Sequence, residues 1–282
     1  MRRSNRKWVW QHDTDEGYRE TVLEGLHSNR IGVIADTHDK SAIVEAAIDR
    51  FARAKCSCVI HLGDIIRPST LMQFAALPRR TCFGWIHGDH ETGKGGDYES
   101  LQEVSQQIGA ICLSSPQKQY DKGGQAGLLR VNQWRFGLVH STYKYVEYRT
   151  QIKEWSISKN FDFVLYGHVH YFNLKFPSTD SPTVLFNPGG LYREPFSICV
   201  LDCDRFLVNL YSFMRGRFVY AATIDLRERI LYKGYDWPAY AAQVEQMAYH
   251  KPSFWRKDND CLDSHETDWM RITDFLAGNH TI

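Results

Sequence analysis

The chain has 282 residues, 43% of them hydrophobic and 24% charged, with a formal net charge of +1. That length can bury a substantial core, and the charge balance gives no whole-molecule argument for nucleic acid or an anionic membrane as partner. Seven cysteines, at 56, 58, 82, 112, 199, 203 and 261, are odd in number and scattered. No run reaches membrane length and no secretory leader is legible, so the expected setting is a reducing compartment, the cytoplasm.

In chain order, residues 1–30 read as an N-terminal extension with one amphipathic helix, on the spacing of Tyr18, Val22, Leu23 and Leu26. Residues 31–35 form an apolar strand, 41–54 a helix with Ile43, Ala47, Ile48 and Phe51 on one face, 58–62 a strand, 70–77 a short helix and 82–86 a third strand. A polar helix is expected over 97–108. Strands are expected over 128–131 and 134–139 around an Asn132-Gln133 turn, then over 163–166, 171–176, 183–186 and 197–201. Alternating strands and helices followed by consecutive strands predict an α/β fold, an αββα sandwich of two mixed β-sheets flanked by helices. The pattern changes near Asp225. Residues 226–282 read as a helical C-terminal appendage packing on a 31–225 domain, with helices over 237–248 and 268–277 and Gly278 as a stop.

Five of these apolar runs end in acids or histidines: Asp36-Thr37-His38, Gly63-Asp64, Gly88-Asp89-His90-Glu91, Val139-His140 and Gly167-His168-Val169-His170. A chain that ends buried strands this way places ligands along one rim of a sheet. Asp36, His38, Asp64, Asp89, His140, His168 and His170 offer seven ligands, enough for two metal ions and a bridging carboxylate. Two such ions about 3.5–4 Å apart acidify a shared water and clamp a phosphate. Mixed imidazole and carboxylate donors suit Mn, Fe, Zn or Ni better than Ca, with Mn favoured. His61 and His87, just before two of the motifs, read as histidines of the core or behind the site.

These segments together resemble the calcineurin-like metallophosphoesterases, whose pattern is D-x-H, G-D, G-N-H-D/E, a later H, and G-H-x-H. The resemblance spans residues 31–187, and more loosely to 213. It looks closest to the small bacterial phosphodiesterase branch that also holds the retromer scaffold subunit, because Phe186-Asn187-Pro188-Gly189-Gly190 is similar to that branch's N-P-G-S element. The resemblance implies that Asp36, His38 and His170 hold a first metal, that Asp64 bridges, and that Asp89, His140 and His168 hold a second. It implies a bridging hydroxide as nucleophile, His90 as the acid that protonates the leaving alkoxide, and Glu91 as the group orienting that imidazole. Gly189 and Gly190 could offer amides to a phosphate oxygen, and Arg193 follows them as a candidate substrate contact.

The chain departs from the family at position 89, where Asp stands for the usual Asn. Two divalent ions with Asp36, Asp64 and a hydroxide would carry a net +1, and a third carboxylate brings that to zero. A less positive centre should favour diesters over dianionic monoesters. The expectation is a metal-dependent phosphodiesterase acting on a phosphate-ester substrate, with no membrane partner. The alternatives are a phosphomonoesterase, including a protein phosphatase, or a catalytically silent scaffold keeping the fold. Gly63-Asp64-Ile65-Ile66-Arg67 lacks the G-D-x-V-D-R-G form of the Ser/Thr phosphatases, and the near-neutral charge gives no support to a nuclease.

Overall fold

The computed structural model describes residues 9–13, 19–92, 98–114, 126–140, 160–168, 170, 172–176, 182–192, 194–249 and 269–271. The N-terminal residues form strands rather than the expected helix. β1 (Val9–Asp13) pairs antiparallel with β2 (Arg19–Leu23), which in turn lies parallel to β7 (Ala126–Val131), with Leu23 opposite Val131. The spacing of Val22 and Leu26 fits a helix as well as a strand edge. The ladder to β7, together with burial of Thr21, Val22 and Leu23, decides for the strand.

From β3 (Arg30–Ile34) the chain runs through α1 (Ser41–Arg53), β4 (Cys58–His61), α2 (Pro68–Gln73) with a 3-10 turn after it, β5 (Cys82–Trp85), α3 (Asp89–Thr92), α4 (Tyr98–Ile108) and β6 (Ile111–Cys112). β3, β4, β5 and β6 are parallel neighbours. Their side chains alternate between two apolar layers. Ile31, Val33, Cys58, Ile60 and Cys82 face the second sheet, while Ile34, Val59, Phe83 and Trp85 face the helices. α1 answers with Ile43, Val44, Ala47, Ile48 and Phe51, the i, i+3, i+4 stripe read from the sequence. Each large side chain so buried contributes about 1.5–3 kcal/mol.

The second sheet adds β8 (Trp134–Val139), β9 (Phe163–Tyr166), β10 (Phe172–Lys175) and β11 (Val184–Pro188). The chain then returns to the first sheet with β12 (Ser197–Asp202), β13 (Leu207–Met214), β14 (Arg217–Asp225) and β15 (Ile230–Lys233), before α5 (Trp237–Tyr249) and β16 (Trp269–Arg271). The described strands form two eight-stranded mixed sheets. Their orders are β1-β2-β7-β8-β9-β11-β10-β16 and β15-β14-β13-β12-β3-β4-β5-β6. Their inner faces share one core, in which Phe136, Phe163 and Phe186 meet Ile31, Ile60 and Leu201. α5 adds buried Trp237 and Tyr240 to that core.

The helix expected over 268–277 is corrected at its start. Trp269–Arg271 is a strand antiparallel to β10, with Met270 opposite Leu174, and the remainder lies outside the described residues. An otherwise open sheet edge at β10 supplies the hydrogen-bonding groups that draw those residues out of a helix. Among the described residues no helix is long and apolar enough to cross a membrane.

Candidate metal centre

The seven predicted ligands converge at the carboxyl ends of β3, β4, β5, β8 and β9, on one rim where the two sheets meet. Backbone bonds tie the loops together there. Asp36 N–H donates to Gly63 O (3.0 Å), His38 N–H to Asp64 O (3.1 Å), Gly167 N–H to Val139 O (3.1 Å) and Leu191 N–H to Asp36 O (3.1 Å). The turns are sharp. Asp36, His38, Asp39, Asp64, Ile66 and His168 all have positive φ, between 39° and 76°. Such backbone is costly for residues with a Cβ, and it clusters where a site imposes it.

The ligand atoms form two groups of four. Asp36, His38, Asp64 and His170 are one, Asp64, Asp89, His140 and His168 the other, and within each group the atoms lie within 4.8 Å of one another. Asp64 belongs to both. Its Oδ2 faces His38 Nε2 at 3.4 Å and its Oδ1 faces His140 Nε2 at 3.4 Å. Asp89 Oδ1 lies 3.1 Å from His140 Nε2 and 3.6 Å from His168 Nδ1, and Asp36 Oδ1 lies 3.5 Å from His170 Nε2. Both Asp36 oxygens accept the His168 N–H (3.0 and 3.1 Å), which holds the two groups in register.

The residues fit divalent cations. His140 Nδ1–H donates to Leu62 O at 2.6 Å, so its Nε2 is the nitrogen that faces the two carboxylates, the position from which it could ligate a cation held between them. His38 Nε2 and His168 Nδ1 are buried and make no hydrogen bond among the described residues. The charges are strongly coupled. Burial alone would lower His140, but Asp64, Asp89 and Asp36 hold it well above the usual imidazole range. Burial dominates at His38 and brings it down to about 4, against the pull of Asp64 and Asp36. Burial acts to raise Asp89 and Asp36, yet the histidines beside them keep both below the ordinary carboxylate range.

Glu91 does not orient His90, as the sequence reading expected. Its carboxylate turns inward and accepts the amides of Asp64 (3.0 Å), Gly88 (2.5 Å) and Ile66 (2.7 Å), fastening the loop after β4 to the loop after β5. The loops can be fastened so closely because residue 88 is glycine. A Cβ there would fall on the Asp64 carboxylate and 2.5 Å from Asp64 N. His90 has a side chain 54% exposed, with Nε2 3.9 Å from Asp64 Oδ2 and its ring edge-on to His38 at 5.0 Å between centroids.

Gly189 does not offer its amide to a phosphate. That N–H donates to Asn187 Oδ1 (2.8 Å), while Asn187 Nδ2 donates to Gly167 O (3.1 Å), so Asn187 braces the His168 loop. Gly190 is buried, with Asp36 Cβ and His170 Cα 3.1 and 3.3 Å from where its Cβ would be. Arg193 lies outside the described residues. His61 is buried behind the site. Its Nδ1 accepts Gly63 N–H (3.2 Å), which leaves Nε2–H for Thr37 Oγ1 (3.2 Å), and burial pushes it down to about 3. His87 is a core histidine on Ser114 and Trp85. Two residues went unread in the sequence. Asp39 clamps Arg67 (3.0 Å) and Thr70 (2.9 Å) beside the first motif. Tyr192 packs its ring on His38 and His170.

The profile of the calcineurin-like phosphoesterase superfamily domain matches residues 30–205. No curated protein matches the chain. Among solved structures, an archaeal phosphodiesterase is similar at 20% identity and a TM-score of 0.52, over 65% of this chain and 99% of its own. The phosphoesterase YfcE from E. coli (13% identity, TM-score 0.42) covers 70% of this chain and 99% of its own. A double mutant of Vps29 from Entamoeba histolytica (15%, 0.46) covers 70% of this chain and 98% of its own. The likeness to the archaeal structure is one of fold.

Proposed function

We propose that this chain, which belongs to the calcineurin-like phosphoesterase superfamily, is a metal-dependent phosphodiesterase with two divalent transition-metal ions, Mn favoured. The observation that carries the reading is the pair of four-ligand groups sharing Asp64, each with two carboxylates and two imidazoles. When bound there, two such ions supply an acidified water and positive charge over the phosphoryl oxygens.

The chain's own groups do the rest. Asp36, His38 and His170 would hold the first ion, Asp89, His140 and His168 the second, with Asp64 between them. Leu62 O fixes the His140 tautomer, and Glu91 holds the Asp64 loop at its spacing. His90, exposed at the rim and directed toward Asp64, would donate a proton to the departing alkoxide. The three carboxylates Asp36, Asp64 and Asp89 lower the positive charge of the centre and support the choice of a monoanionic diester. The six described cysteines are free thiols, which supports a cytoplasmic setting.

The test is hydrolysis of bis(p-nitrophenyl) phosphate by the Mn-loaded protein. Turnover that chelation of the metal abolishes and added Mn restores supports the reading. Bound metal without turnover under any divalent ion would favour a silent scaffold instead.

A further inference from the structure

We infer that Ser197 is a positioning residue for the metal centre, setting the group of Asp36, His38, Asp64 and His170 through the turn of residues 188–191. The inference rests on the phosphoesterase reading and adds to it a residue that no ligand motif contains. Ser197 opens β12, which pairs with β3, the strand that leads into Asp36. It is fully buried, and its hydroxyl donates to Pro188 O at 2.8 Å. Gly189, with a φ of 83°, rests on the same hydroxyl, and a Cβ there would fall on Ser197 Oγ.

The far side of that turn touches the ligands. A Cβ on Gly190 would lie 3.1 Å from Asp36 Cβ and 3.3 Å from His170 Cα. Leu191 N–H donates to Asp36 O at 3.1 Å, and the Leu191 side chain is buried in the apolar layer under the helices. The turn thus carries a displacement at Ser197 to two ligands of one group, through close contacts with little slack. The second group has its own anchor. Asn187 Nδ2 holds Gly167 O beside His168, and Asn187 is itself fixed in the ladder opposite Asn173. Ser212 gives the contrast. It lies directly across from Ser197 on β13, equally buried, and its hydroxyl makes no hydrogen bond among the described residues. A hydroxyl that only filled space would be as dispensable at 197 as at 212.

The experiment is Mn binding to the full chain, read from the electron paramagnetic resonance of free Mn, with thermal melts of the metal-free proteins alongside. Single-ion backgrounds separate the sites: His140→Ala keeps the first group whole, and His170→Ala keeps the second. Ser197→Ala should weaken Mn about tenfold in the His140→Ala background, the lower end of what supporting partners of metal ligands are worth. In the His170→Ala background the change should stay under about twofold. Ser212→Ala should leave Mn affinity unchanged in both. Ser197→Cys, a weaker donor of similar size, should fall between wild type and Ser197→Ala, and it carries the test if the alanine variant does not fold. Equal losses in the two backgrounds would overturn the positioning role. So would a lowered melting temperature with Mn affinity intact, because the hydroxyl would then only stabilise the fold. A wild type that binds no Mn would overturn the phosphoesterase reading itself, and this inference with it.

Discussion

Asp89→Asn separates charge from coordination at the second ligand group, because Asn keeps an oxygen donor and loses the negative charge. Asp89 Oδ1 sits 3.1 Å from His140 Nε2, and all the ligand atoms of its group lie within 4.8 Å of each other. A phosphoryl group between the two ligand sets would thus be about 5 Å from the carboxylate, where one unit charge at an effective dielectric near 20 is worth about 3 kcal/mol. The Asp89 side chain is 26% exposed, and solvent screening brings this to about 1–2 kcal/mol. A monoester dianion carries about one charge more than a diester anion. The variant should therefore raise the monoester to diester ratio of kcat/KM by about 5- to 30-fold. The assay is p-nitrophenyl phosphate against bis(p-nitrophenyl) phosphate at saturating Mn, with metal content confirmed. A ratio unchanged within about twofold, both ions being bound, would refute the electrostatic reasoning.

Gly88→Ala should displace the Asp64 carboxylate, costing about 1–3 kcal/mol of stability and weakening metal binding; wild-type metal affinity in the variant would contradict the close approach of the two loops. Glu91→Gln presents an amide donor to at least one of three backbone N–H groups, a loss of about 2–3 kcal/mol read as a Tm lowered by about 5 °C or more, and a shift under about 1 °C would count against it. His61 is held neutral by burial, with its pKa near 3 against an ordinary 6.5. The unfolded chain binds its proton first, so this stability is complete above pH 6.5 and is lost as pH falls toward 3. Between pH 6.5 and 4.5 the loss is about 2–3 kcal/mol, and urea melts of metal-free His61→Asn should show a shallower acid limb than the wild type.

The ligand set was legible because each member ends an apolar run, and strand ends on one rim need no long-range information to be recognised. The α1 stripe and the parallel strands β3, β4 and β5 were legible for the same reason, since their periods are local. Strands β13 and β14 were missed although their signal is present. Val208, Leu210 and Ser212 alternate inward, and Arg215-Gly216, both with positive φ, makes the tight turn of a hairpin. At the N-terminus Val22 and Leu26 fit two periods at once, and only the distant partner β7 decides between them. Trp269–Arg271 likewise becomes a strand through β10, nearly a hundred residues earlier in the chain. The roles of Glu91 and Asn187 were hidden because both bond to backbone, and backbone positions leave no residue type to read.

The central claim is that one shared carboxylate joins two cation sites. Equilibrium dialysis against Mn followed by elemental analysis tests it most directly. The wild type should retain two equivalents per chain, and Asp64→Ala should lose affinity for both together. A wild type that binds none, or an Asp64→Ala protein that still holds two with undiminished affinity, would contradict it.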